Sequence, residues 1–554
     1  MSQSFELKLC NALEKIFPHQ KSLNSAEEIE LSALYGEAVS FQAVYRKNEG
    51  GRAWGQVRFA APRGVNVTLR RVRSVPGTIP AHFKTDESYI TTQAGLFPDL
   101  LEPFDQSRLP LIPGMWQSIW VDIEVTPQAA EGRHFIDLSI NTPNEEVSVR
   151  AALEVIPIEL PPLAISHTRW FHADCLADYY KVEIFSKRHW EIIENFVAYA
   201  VRHGINMMLT PIFTPPLDTE IGNERPTVQL IDVTEHQGQY TFGFDKLFQW
   251  LAMCQRVGIK YFEMSHLFTQ WGAAHAPKIM GIKDGVYTRL FGWETDAAGA
   301  EYAAFLKQML PALTAKLTQW GVAENTFFHI SDEPSEKHLP AYKAARQMVE
   351  PELCGFKIID ALSDYDFYKQ GIVSIPVAAV DHIEPFIEGQ IPDLWCYFCC
   401  AQSKDVPNQF FMQPSFQNRI LGALLYKYDI AGFLHWGYNF YYSLHSVYPI
   451  NPFLTTDADG TFPSGDAFIV YPGDDGFPLG SIRLMTALAA FNDLRALRLL
   501  ELIKGREFVL KLLDDGLAQP LSFSCFPKDT AYLLALRRRV NEEIFRSKNT
   551  CKHP

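Results

Sequence analysis

TFFHISDEPSEKHLPAYKAARQMV, residues 326–349, is followed at 355–360 by GFKIID. The stretch opens apolar, with Phe327 and Phe328, as a buried strand does. It then sets Asp332 and Glu333 side by side and stops at Pro334. A helical segment runs from Lys337 to Val349, and GFKIID reads as a second strand. A helix between two strands implies that the strands run parallel.

The same unit recurs on both sides. Upstream, HTRWFHAD precedes the helical SKRHWEIIENFVAYAVRHG, INMMLTP precedes FDKLFQWLAMCQRVG, and IKYFEM precedes, after a long insertion, AGAEYAAFLKQMLPALTAKLTQWG. Downstream come IPVAAVDHI, then DLWCYF with the helix SFQNRILGALLYKYDI, and GFLHWGY closes the series. Counted with TFFHI and GFKIID these make eight strands, which predicts a (β/α)8 TIM-like barrel.

Before residue 160 the rhythm is different. In SIWVDIEV, Ile119, Val121, Ile123 and Val125 alternate with polar or amphipathic neighbours, and in EVSVRAALEV, Val147, Val149, Ala151, Leu153 and Val155 share one face. A period of two, with turn signals at VRSVPGTIP and TPQAAEGRHF, predicts a β-sandwich. Pro157, Pro161 and Pro162 interrupt that pattern and place a boundary there. The expected class is therefore multidomain α/β plus all-β: an N-terminal β-sandwich over 1–162, a catalytic barrel over 163–480 and a C-terminal helical extension over 481–554, with a helix from Ser481 to Leu502.

Bulk properties narrow the function. The 554 residues carry a net charge of −14 and no basic run, which disfavours a nucleic-acid partner. No stretch of about 18 apolar residues predicts a membrane span. MSQSFELKLCNALEKIF has no basic region ahead of an apolar run, so no signal peptide is expected. Nine scattered Cys fit reduced thiols in a cytoplasm. Aromatics at 13% with 11 Trp suit both sugar stacking and large cores. The sequence shows no phosphate-binding loop, dinucleotide fingerprint or G-x-S-x-G elbow, so no cofactor is expected. The oligomeric state is not readable.

In a barrel, Ser331 to Pro334 fall at the C-terminal end of the fourth strand, where barrel enzymes place their chemistry. Two carboxylates in one site do not both ionise easily, and one is pushed toward the neutral acid. A neutral acid beside an anion suits glycosidic cleavage. Sequence neighbours rarely flank a sugar as the two acids of an ordinary retaining enzyme do. They suit a route in which the substrate's 2-acetamido group is the nucleophile, one acid stabilising that group and its neighbour protonating the leaving oxygen. The alternative is structural: Asp332 and Ser335 are available as helix N-caps, with acids in the first turn.

FHISDEPSEKHLPAY resembles the Asp-Glu signature of glycoside hydrolase family 123. WFHADCLADYY, HGINMMLTP, DLWCYFCC, FLHWGYNFY, and GDAFIVYPG with PLGSIRL after it resemble the same family, so the likeness spans roughly Trp170 to Asp493. It implies an exo-acting β-N-acetylgalactosaminidase with a β-sandwich ahead of the barrel, Asp332 as stabiliser of the acetamido group and Glu333 as general acid/base. Relatives carry an acidic, Arg- and Gly-containing stretch where this chain reads LMTALAAFND, of which Asp493 remains.

Further candidates lie at strand ends. His172 and Asp174 in FHAD could bind sugar hydroxyls or form a structural pair; as metal ligands they lack a third partner, and no metal is expected. His266 and Trp271 sit on the loop after the third strand. Trp395 and Tyr397 lie in LWCYF, and His435, Trp436, Tyr438 and Asn439 in FLHWGYNFYY; they suit the faces of a hexose or core packing. Cys396, Cys399 and Cys400 form a weak zinc pattern and read as small hydrophobes. The leading expectation is a cytoplasmic, cofactor-independent, retaining exo-glycosidase acting on a glycan with a terminal β-linked N-acetylhexosamine. The alternatives are a glycosidase with a nucleophile on another strand, such as Glu263 or Asp360, and an inactive carbohydrate-binding protein.

Overall fold

The computed structural model describes residues 4–270, 272–334 and 336–550. Eight parallel strands close into a barrel: Ser166–Arg169, Met207–Thr210, Tyr261–Met264, Thr326–Phe328, Lys357–Leu362, Ile375–Ala379, Trp395–Tyr397 and Gly432–His435, the last pairing with the first. Each overlaps a segment that the sequence marked as a strand, and all but the first and fifth lie wholly inside it. The period of two decides which side chains fill the interior. Met207, Leu209, Phe327, Ile359, Ala361, Val377, Ala379, Trp395 and Tyr397 form the inner cluster. Their neighbours Met208, Phe328, Ile358, Leu362, Ala378 and Cys396 belong to the larger core. Gly432 is needed beside Trp395, because a Cβ there would lie 2.1 Å from the indole.

The helices follow the expected spans closely: Lys187–Arg202, Asp245–Val257, Ala300–Gln319 and Leu339–Val349. Ser186 caps the first of them by accepting from the His189 amide. The helix expected over 415–430 is instead two pieces, Ser415–Arg419 and Leu421–Lys427. Gly422 in the second touches the backbone of Ala490, where a Cβ would meet the carbonyl oxygen at 1.9 Å.

Ahead of the barrel lie two sheets, one antiparallel and one mostly so. Ile119, Val121 and Ile123 point into the core that the sheets share, together with Ile136, Leu138 and Leu153 from the other sheet. Trp120 points the opposite way and joins the core that includes the barrel. The strand Glu146–Glu159 does not stop at Pro157. It passes through, with a register shift between Ile156 and Glu159 against its parallel neighbour Glu28–Tyr35. A bulge is one of the few places in a ladder that admits proline.

Two features were not anticipated. The insertions after the second and third barrel strands build a four-stranded sheet from Asp232–His236, Gln239–Gly243, Ile279–Lys283 and Val286–Phe291. Past the barrel, Pro478–Ser481 pairs with Gly95–Glu102, Gly480 opposite Leu101 and Ser481 opposite Leu100, so the chain returns to complete the N-terminal seven-stranded sheet. Three helices follow, Ile482–Lys504, Arg506–Asp514 and Thr530–Thr550. Asp493, on the first of them, accepts from Arg419 at 2.8 Å and from Arg537 at 3.2 Å, and Arg537 also grips Glu37 at 2.7 Å. It is a fastener between helices and sheet. Among the described residues no helix is long and apolar enough to cross a membrane.

Candidate active site

The fourth strand ends at Phe328, earlier than its apolar run suggested. Beyond it the chain is held by its neighbours. The Phe268 amide donates to the Ile330 carbonyl at 3.1 Å, the Ile330 amide donates to Asp360 Oδ1 at 3.0 Å, and the Ser331 hydroxyl donates to the Thr269 carbonyl at 2.9 Å. Asp332 and Glu333 follow on this pinned loop. Glu333 has φ of +42°, a left-handed conformation unusual for a residue with a Cβ and typical of functional loops.

Glu333 Oε1 accepts from the Tyr397 hydroxyl at 2.8 Å. Asp381 and Cys399 also lie within electrostatic reach of Glu333. Burial raises the Asp332 carboxyl well above the usual range, and the charge of Glu333 adds to this, while His329 opposes it. Burial also raises Glu333, with the Tyr397 hydrogen bond pulling the other way. Both acids are nevertheless wetted: Asp332 is half-buried and Glu333 exposed. Water that reaches them moderates the rise. The pair is poised to share a proton.

Beneath them is a buried cluster. Glu263, from the inner face of the third strand, accepts from Thr168 Oγ1 at 2.6 Å and from Trp170 Nε1 at 2.7 Å. His329 Nε2 lies 2.5 Å from Glu263 Oε1, and Nδ1 lies 3.3 Å from Asp360 Oδ1. Asp360 also takes the Tyr342 hydroxyl from the helix outside. Glu263 and Asp360 are both fully buried and committed to these partners, so neither is free to act as a nucleophile.

His266 is buried beside His329, its ring stacked at 4.3 Å and 22°, and neither of its nitrogens has a hydrogen-bond partner. Ligand atoms of His266, His329 and Asp360 lie within 4.8 Å of one another. Two nearly parallel stacked rings do not aim their lone pairs at one point, so this trio does not form a coordination site as it stands.

His172, Asp174 and Asn439 gather elsewhere. Arg225 clamps Asp174 at 2.7 and 2.9 Å and donates to His172 Nδ1 at 3.0 Å. His172 Nε2–H donates to the Trp436 carbonyl at 3.1 Å, and the Asn439 side chain pairs with the His172 backbone at 2.9 and 3.0 Å. His172, Asp174 and Arg225 are each at most 2% exposed, and burial pushes the His172 imidazolium down to about 3. This network is closed and braces the ends of the first and eighth strands. Tyr438 is buried and donates to the Phe196 carbonyl at 3.0 Å, toward an outer helix. Trp395 lies in the barrel interior against Phe327. Trp436 is half-buried and donates to Asp466 at 2.8 Å. Trp271 lies outside the described residues. His329, Tyr342 and Arg225 were not singled out from the sequence.

The family model of the glycoside hydrolase 123 catalytic domain matches residues 170–500. The chain belongs to glycoside hydrolase family 123. It is a glycoside hydrolase, and Asp332 and Glu333 lie within the matched span. Among solved structures it is similar to a family 123 glycoside hydrolase from Clostridium perfringens studied for glycolipid glycan hydrolysis. That match has a TM-score of 0.76 at 14% identity and covers 99% of each chain, which establishes a common fold across the whole length. A β-glucuronidase from Parabacteroides merdae scores 0.29 at 10% identity over 80% of this chain and 48% of its own. A putative β-galactosidase from Bacteroides fragilis scores 0.30 at 8% identity over 82% and 58%. No curated protein matches.

Proposed function

We propose that this family 123 enzyme is an exo-acting, retaining β-N-acetylhexosaminidase, selective for N-acetylgalactosamine, that uses the substrate's acetamido group as nucleophile. One observation carries the reading. The two acids at the strand exit are sequence neighbours, Glu263 and Asp360 are shut beneath them, and Asp381 is engaged by Gln402 and His382. Neither Glu263 nor Asp360 is free to attack the far side of the sugar.

Asp332 accepts the acetamido N–H and steadies its growing positive charge while the carbonyl oxygen bonds to C1. Glu333 gives its proton to the leaving oxygen as the C1–O bond breaks. Glu333 then takes a proton from water, whose oxygen attacks C1 and reopens the oxazoline, so the product keeps the β configuration. Tyr397 and Trp436 flank the sugar, and His172, Asp174, Tyr438 and Asn439 brace the wall behind it. We read the barrel as TIM-type and the two preceding sheets as a sandwich. The strands at 471–481 tie the barrel region to that sandwich. The eight described cysteines are all free, which supports a cytoplasmic setting.

A panel of chromogenic β-glycosides tests the proposal. An aryl β-N-acetylgalactosaminide should be cleaved, the matching β-galactoside hardly at all. Faster release from the plain galactoside sinks the acetamido mechanism.

A further inference from the structure

We propose that His329 is a positioning residue of the reaction, a buried imidazolium clamped between Glu263 and Asp360 that keeps Asp332 ionised beneath the acetamido group. This rests on the role given to Asp332 above.

The geometry requires the charge. A neutral imidazole has one N–H and one lone pair. With carboxylate oxygens 2.5 Å from Nε2 and 3.3 Å from Nδ1, a neutral ring would turn a lone pair against an anion on one side. Both contacts attract only when both nitrogens carry hydrogen. The clamp is itself held in place. Thr168 and Trp170 fix Glu263, the Ile330 amide and Tyr342 fix Asp360, and Trp170 and His266 box the ring. His266 offers His329 no hydrogen bond. Among the described residues, the ionisable groups facing His329 are Glu263 from the third strand, Asp360 from the fifth, His266 from the loop after the third, and Asp332 beyond the fourth.

The consequence falls on one acid of the pair. Asp332 meets burial and three negative neighbours, Glu333, Asp360 and Glu263, and His329 is the cation that opposes them. Burial and Asp381 raise Glu333, while the Tyr397 hydrogen bond lowers it. His329 thus acts on the stabiliser.

The test isolates Asp332 by working in Glu333→Gln with an aryl glycoside whose leaving group needs no proton. First-turnover release of the aryl group there requires ionised Asp332 alone, so it falls away on the acid side. Adding His329→Gln should move that acid limb upward by about one pH unit or more. His329→Lys, which restores the charge, should bring it back even at reduced rate. An unmoved limb with a merely lower plateau overturns the proposal.

A second measurement covers variants that fail to fold. In wild type carrying 15N-labelled histidine, a buried imidazolium signal should persist at pH 8.5; its absence also overturns the proposal. That signal needs no substrate. Failure of the functional reading would show differently, as wild type inactive on N-acetylgalactosaminides with the imidazolium still present.

Discussion

The Tyr397 hydroxyl donates to Glu333 Oε1 at 2.8 Å and lies 3.4 Å from Ser363 Oγ. Donation to a carboxylate favours its anion. In Tyr397→Phe the acid pair should hold its last proton to higher pH. The alkaline limb of the rate profile then moves upward, and kcat falls about tenfold or more as Glu333 loses its orientation. A limb that stays in place would separate Tyr397 from the proton donor.

The two acids should respond differently to loss of charge. Glu333→Gln slows substrates with poor leaving groups by roughly 10²–10⁴-fold and largely spares the first-turnover release of activated aryl groups. Asp332→Asn slows all of them, because closure of the oxazoline ring is common to every substrate. Rates plotted against leaving-group acidity give two different slopes; equal slopes reject the division of roles.

A stable thiazoline analogue of the oxazoline should bind wild type much more tightly than the free sugar does, because it copies the bicyclic, partly positive intermediate. Asp332→Asn should lose most of that preference and Glu333→Gln less. Calorimetry gives both constants. If Asp332 serves only to cap the following helix, Asp332→Asn lowers stability by about 1 kcal/mol and leaves the ratio of affinities unchanged.

Stability should carry the mark of His329. Burial alone would strip its proton, but Asp360 and Glu263 outweigh burial and raise it to about 10, against about 6.5 in an unfolded chain. The resulting stabilisation is complete below about pH 6.5 and is lost as pH rises toward 10. Denaturant midpoints of wild type and His329→Gln should therefore converge across that interval. A gap that is constant with pH counts against the charged clamp.

Asp174→Ala should unfold more easily by about 3–5 kcal/mol, since Arg225 is left buried without its counter-ion. The folded fraction should keep its KM within about twofold. A large rise in KM with unchanged stability would place Asp174 on the sugar instead.

The sequence exposed the barrel because its alternation is strong. Phe327, Ile359 and Val377 face inward while Phe328, Ile358 and Ala378 face the helices, and helical segments with clear ends stand between most of the strands. Asp332 and Glu333 were visible for the same reason: their position follows from where a strand ends. The cluster below them was not. His329 meets Glu263 across 66 residues and Asp360 across 31, and no local pattern reports such a meeting. Arg225 sits in an insertion, 51 residues from Asp174. The insertion's own sheet escaped because its strands are short and half exposed, as in DVTEH, where only Val233 and Glu235 are buried. Pro157 misled because the rule it follows has an exception at bulges.

The pairing of Pro478–Ser481 with Gly95–Glu102 has a consequence for biogenesis. Translation delivers the N-terminal strands first, and they can associate while the barrel is still being made. Until residues 478–481 have left the ribosome, the Gly95–Glu102 edge has no partner on that side. An open edge is a template for pairing with other chains. The nascent protein is therefore most prone to aggregate during synthesis of its barrel, and a chain truncated before residue 478 keeps that exposed edge permanently.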